Sequence, residues 1–164
     1  MSDDTPWLNE SEMETWLALI GLVSKLPIAL DEQLRRDGEM SHFEYGVLAS
    51  LELAEDHTRR MSDLAALVNG SLSRLSHVAR RLEEAGLIER FPCPTDGRAT
   101  LARLTDEGVH RLTKAAPGHV ALVRELIFEA LGEEDAHRLG RLSRRVLERI
   151  EDGGGESARI FRRL

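Results

Sequence analysis

The chain has 164 residues, 41% of them hydrophobic and 31% charged, with five prolines, which is the composition of a folded domain and not of a disordered segment. That length buries a core without help from disulfides or metals, and a single cysteine excludes an internal disulfide. The acidic start, Met1-Ser2-Asp3-Asp4-Thr5, lacks the basic-then-apolar layout of a secretory signal, and no uninterrupted run of about 18 apolar residues occurs, so the expectation is a cytoplasmic chain without a membrane partner.

The formal net charge of −7 hides an uneven distribution. Residues 1–58 carry 3 basic and 13 acidic side chains, residues 59–103 carry 8 and 5, and residues 104–164 carry 11 of each. One basic stretch therefore sits inside an acidic protein, and local potential governs binding more than the total does.

In chain order, the first predicted element is a helix from about Trp7 to Arg36, striped by Trp16, Ile20, Val23, Leu26, Leu30 and Leu34 at spacings of three and four. Pro27 should kink or restart it, and Asp37-Gly38 should end it. Ser41 with Glu44 three residues on is a capping box that opens a second helix through Val47, Leu48 and Leu51, with Met40 and Tyr45 placed as a hydrophobic staple. A polar loop follows. Ser62 should then cap a short helix, Asp63 to Val68, which Asn69-Gly70 stops.

Ser71 should cap a further helix running to Gly86, with Leu75, Val78, Ala79 and Leu82 inward and Ser73, Arg74, Ser76, His77 and Arg80 outward. Two helices joined by a tight glycine turn, the second polar and basic on its free face, form a helix-turn-helix. Short strands at 87–91 and 101–104 flank Pro92-Cys93-Pro94-Thr95-Asp96-Gly97-Arg98, a predicted β-hairpin with an irregular loop and Arg98 at its tip. Thr105 opens another helix that Pro117-Gly118 should interrupt or kink, Gly132 to Asp135 marks a break, and Leu139, Leu142, Val146 and Ile150 stripe the last long helix. Gly153-Gly154-Gly155 is a stop before a short basic tail, Ser157 to Leu164. The predicted fold class is mainly α with a small β-hairpin wing: a winged helix-turn-helix plus a helical dimerisation region.

In this order of parts the chain resembles the MarR family of bacterial transcription regulators. The matching segments are Ser62-Asp63-Leu64-Ala65, the helix from Ser73 to Glu83, Gly86-Leu87-Ile88-Glu89-Arg90, and Asp96-Gly97-Arg98-Ala99-Thr100 running to Leu104-Thr105-Asp106-Glu107-Gly108. The resemblance implies an obligate homodimer whose N- and C-terminal helices interlock, a winged helix-turn-helix on each protomer, and a palindromic double-stranded DNA partner often released by a small aromatic or anionic effector. It divides the chain into residues 1–38 (dimerisation), 39–107 (DNA binding) and 108–164 (dimerisation).

The candidate DNA-binding residues follow from this arrangement. Ser73, Arg74, Ser76 and His77 can donate to base edges or phosphates, and an arginine can hold a guanine through two bonds. Arg80 and Arg81 suit phosphates, or pairs with Glu83 and Glu84. Ser62, as a helix cap, can also present amides to a phosphate, and Ser71, which caps the basic helix, is a further DNA-binding candidate. Arg98 at a hairpin tip can enter the minor groove, while Asp96 and Gly97 are turn-forming residues. Trp16, His42 and Tyr45 lie where the family's effector pocket usually opens, and plain core packing is the competing reading for all three. Cys93 does not match the N-terminal cysteine of peroxide-sensing relatives, so no redox role is carried over.

The six histidines show no metal-ligand spacing, and neither a metal nor a cofactor is expected. There is no nucleophile elbow, Gly-rich phosphate loop or paired acid/base motif, so the sequence argues against an enzyme. The competing functions are an architectural DNA binder without sequence choice and a winged helix used for protein contact.

Overall fold

The structure, a computed structural model, describes residues 6–153. The acidic start and the tail from Gly154 lie outside the described residues. Helix α1, Glu10–Gly38, is opened by Asn9, whose side chain accepts from the Glu12 amide while Glu12 reaches back to the Asn9 amide. Pro27 neither ends nor restarts it. The helix closes on Glu39, which takes the left-handed conformation expected of a C-terminal cap. By length and composition alone α1 could cross a membrane, so the expectation that nothing here is apolar enough holds for an unbroken run and not for this helix taken as a whole.

Helix α2, His42–Glu52, starts on the Ser41/Glu44 capping box. The loop expected after it is instead a 3₁₀ turn, Glu55–His57, leading into strand β1, Thr58–Arg60. Helices α3, Met61–Leu67, and α4, Leu72–Glu84, follow, then strands β2, Ile88–Cys93, and β3, Asp96–Leu104. The sheet is antiparallel in the order β1-β3-β2, with Arg60 opposite Leu101 and Ile88 opposite Leu104.

Helix α5, Asp106–Val123, is capped by Thr105, which accepts from the Gly108 amide. Gly108 is there for space: a Cβ would lie 2.2 Å from the Leu87 carbonyl oxygen. Pro117 does not interrupt α5. The irregularity comes later, as a π-helical segment, Arg124–Glu129, and at Gly132 within helix α6, Ala130–Gly153. Gly132 has φ 72° and ψ 172°, a conformation open essentially to glycine alone.

One core joins these parts. Leu34 from the end of α1, Val47, Leu48 and Leu51 from α2, Leu64 and Leu75 from the helix pair, Ile88 and Ala102 from the sheet, and Leu112 and Ala115 from α5 form a single buried cluster. Of α1 only Leu34 enters it, and the helix's other buried residues, Leu30 and Gln33, also lie in its last third. The rest of α1 lies outside that core, which leaves the basic face of α4 and the hairpin mounted on a rigid lobe.

Candidate nucleic-acid interface

Helix α4 is built as its pattern predicts. The Ser71 hydroxyl accepts the Arg74 amide at 3.1 Å, and Leu75, Val78, Ala79 and Leu82 are buried. Ser73, Arg74, Ser76, His77 and Arg80 stand exposed on the other side. In the turn before α4, Asn69 and not Gly70 takes the positive φ, while the Gly70 amide donates to the Ala65 carbonyl at 2.9 Å. Gly70 serves a close approach: a Cβ there would sit 2.7 Å from the Phe43 ring. That ring lies under Arg74, whose guanidinium carbon is 4.2 Å from the ring centroid.

The other two arginines of α4 differ from each other. Arg80 approaches its neighbour His77 at 3.2 Å on the exposed face. Arg81 pairs with the buried carboxylate of Glu44 on α2, and not with Glu83 or Glu84. Glu83 instead holds Arg90 at 2.6 Å, and that hydrogen bond keeps the Glu83 carboxyl below its usual range. Among the described residues, Arg74, Arg80 and Arg98 have no carboxylate within salt-bridge distance, so their charge is left for another partner.

The wing is tighter than expected. The strands reach to Cys93 and Asp96, which pair across a two-residue turn, Pro94-Thr95, and an irregularity at Pro92/Cys93 takes up the slack. Arg98 is therefore exposed on β3, two residues in from Asp96, and does not occupy the tip. Asp96 fixes the turn, as its residue type implies: one carboxylate oxygen accepts the Arg98 amide at 3.2 Å and the other accepts from Arg60 at 3.4 Å. The adjacent Gly97 is exposed, with open space where a Cβ would go.

Ser62 does not cap its helix. Arg60 ends β1 and stands at the N-cap position without a side-chain cap, so α3 begins two residues earlier than expected and Ser62 donates to Asp63 at 3.1 Å. Even so, Ser62 lines the groove between wing and α4 together with Arg60, Ser76, Arg90 and Arg98. Arg60 is the residue the sequence reading missed here. Its only signal was membership of the basic stretch 59–103.

The three candidate effector residues separate. Trp16 lines a groove with Leu8, Thr15 and Leu19 on the outside of α1. His42 and Tyr45 instead meet His119 of α5, with ring centroids 6.0 and 4.3 Å from the His119 ring. Buried Nδ1 atoms of His42 and His119 and the Oε1 of Gln33 have no protein partner. Burial holds both histidines below their ordinary pKa and pushes Tyr45 up; Asp31 opposes the shift at His42, and His42 reinforces the one at His119. Beside α2 opens a cleft of about 1270 Å³, lined by Asp31, Arg35, His42, Phe43, Arg74 and Arg81 among others. Among the described residues, no group of three or more His, Cys, Asp and Glu is placed to hold a metal.

A helix pair with a basic second helix, preceded by β1 and followed by the β2–β3 hairpin that completes one three-stranded sheet with it, defines a winged helix-turn-helix protein. The model of the MarR family matches residues 40–100. Sco3205 of Streptomyces coelicolor, a MarR family transcriptional regulator whose crystal structure is a complex with DNA, is 40% identical over 90% of this chain and 92% of its own, with a TM-score of 0.83. AbsC, a MarR family transcriptional regulator of the same organism, is 34% identical over 90% and 99%, with a TM-score of 0.82. PcaV, a transcriptional regulator of Streptomyces coelicolor crystallised with its natural ligand, is 25% identical over 76% and 88%, with a TM-score of 0.64. The chain belongs to the MarR family of transcriptional regulators.

Proposed function

We propose that this regulator is a sequence-specific binder of palindromic double-stranded DNA, that it acts in the cytoplasm as a two-fold homodimer repressing transcription, and that a small aromatic or anionic ligand releases it. It carries out no catalysis. The observation that carries the reading is the exposed face of α4, with Ser73, Arg74, Ser76, His77 and Arg80, of which Ser76 shares a groove with Arg98, and with no carboxylate pairing Arg74, Arg80 or Arg98 among the described residues. The DNA complex of Sco3205 supports it.

Each residue then has a distinct task. Helix α4 enters the major groove, where Arg74 reads a base edge and Ser73, Ser76 and His77 contact bases or phosphates. Arg80 and the groove residues Arg60 and Ser62 meet the backbone. Ser71 caps α4 and holds its first turn rigid against the DNA. Arg81, tied to Glu44, braces α4 against α2. Arg98 follows the wing into the minor groove, whose negative potential attracts it. Residues 39–107 form the DNA-binding unit, and residues 1–38 and 108–164 the dimerisation region.

The dimer is supported by exposed apolar side chains on α1 and α6, and the ligand by the cleft beside α2 and by PcaV's complex with its natural ligand. His42 and Tyr45 lie at that end of the protomer, while Trp16 joins only if the partner's helices carry it there. A ligand that prefers the released state by the usual coupling, about 1–3 kcal/mol, loosens DNA roughly 5- to 150-fold.

The test is a titration of the DNA upstream of the protein's own gene against scrambled DNA of equal length. The expected result is at least about a thousandfold preference for one duplex, a linear fall of log affinity with log salt, and loss of preference at one base pair in Arg74→Ala. Equal, salt-dependent affinity for both duplexes would make the protein an architectural binder. No affinity for either would leave the winged helix as a protein-contact module.

A further inference from the structure

We propose that Phe43, wedged by Gly70, is the positioning residue that aims Arg74 at its base, so that an aromatic ring outside the recognition helix sets sequence preference at one base pair; this rests on the reading of Arg74 as the residue that reads a base edge. Phe43 is the second residue of α2 and its half-buried ring packs against the lobe core. Its far edge faces Gly70, where a Cβ would come to 2.7 Å, so only a glycine there leaves the ring in this position. The Arg74 guanidinium lies over the ring at 4.2 Å.

Two features make this more than packing. The backbone of Arg74 is already fixed, because its amide donates to the capping hydroxyl of Ser71. Its side chain has no carboxylate partner among the described residues, so the stack is what holds it. Stacking occupies the face of a guanidinium and leaves the N–H edges free in its plane. Bidentate recognition of guanine uses those edges. Stack and readout are therefore compatible, and a pre-aimed arginine loses less freedom on binding than a free one.

The experiment uses the full-length protein and its preferred duplex, with a set of duplexes each changed at one base pair. Phe43→Leu keeps apolar bulk and removes the π face. Gly70→Ala keeps the ring and displaces it. Arg74→Ala supplies the reference and identifies the base pair concerned. The expected result is that both variants lower discrimination at that base pair by roughly fivefold, about the worth of one exposed cation–π contact, with the other positions and the salt slope unchanged. Adding either change to Arg74→Ala should cause no further loss of discrimination.

Three results would overturn the proposal: full discrimination retained in folded Phe43→Leu and Gly70→Ala proteins, weakening spread evenly over all duplexes, or losses that multiply independently with Arg74→Ala. If Arg74→Ala itself leaves every position unchanged, the base-reading role of Arg74 is wrong and the inference falls with it, an outcome recognisable from the single variant alone.

Discussion

The winged lobe and the long outer helices share one chain but treat their apolar residues in opposite ways. In the lobe, Leu48, Leu51, Leu64 and Leu75 are fully sealed from solvent. On α1, Trp16, Leu17 and Val23 are 48%, 61% and 54% exposed, and on α6 Val146 and Ile150 are 52% and 65% exposed. Both regions are helical and both are patterned, so periodicity does not separate them. The lobe closes its core with its own residues, whereas the outer helices present a contiguous apolar face of the kind that marks association surfaces. The proposed dimer needs both: a reading head, and a joint that holds two heads at a fixed spacing.

The largest effect should come from breaking the joint. Val23→Glu combined with Val146→Glu places charge on the apolar faces of α1 and α6, which should give monomers by light scattering. Operator affinity should then fall by about 10²–10⁴-fold through loss of the linked second site, while the lobe keeps its cooperative unfolding. A dimer that survives with full affinity would place the contact elsewhere.

Leu48→Ala tests the other side of the comparison. It should cost about 2–5 kcal/mol in denaturant unfolding, because a sealed site leaves a cavity. A cost under about 1 kcal/mol would mean that the lobe core is looser than its burial indicates. Ser71→Ala should cost about 1 kcal/mol by loss of the α4 cap. It should also weaken operator binding, because the first turn of α4 carries Arg74.

The smallest effect is a slope with pH. Burial holds His42 and His119 below the ordinary histidine value of about 6.5. The unfolded chain therefore takes up these protons at higher pH than the folded one. Their neutral forms contribute stability that is complete above about pH 6.5 and is lost as the pH falls through the folded values. Both rings are only half-buried, so the slope should be shallow. His119→Gln should flatten it in unfolding curves between about pH 7 and 5, and an unchanged slope would remove the pair from the account.

Much of this was legible in the residues. The Ser41/Glu44 and Ser71 caps, the buried stripe of α4 and the break at Gly132 are all carried by local chemistry, and the structure has each of them. What was missed depends on partners distant in sequence. Strand β1 is three residues long and exists because β3 pairs with it, so no alternation announces it. That strand displaces the start of α3, which moves Ser62 off the cap. Arg98 moved from the tip because the turn needed only Pro94-Thr95. Pro27 and Pro117 looked like breaks, yet a single lost backbone bond does not end a long helix packed along another. His119 and Phe43 had no local signal at all. One acquires its role from the packing of α5 against α2, the other from a glycine twenty-seven residues away.

The central claim is that two winged lobes, held at one spacing by the outer helices, read one palindrome. Sedimentation of the protein with a duplex carrying two half-sites about one helical turn apart tests it most directly, repeated with a duplex in which half a turn of DNA is inserted between them. The account predicts two chains per duplex on the first and at least about a hundredfold weaker binding on the second. One chain per duplex, or equal affinity for the two spacings, would contradict it.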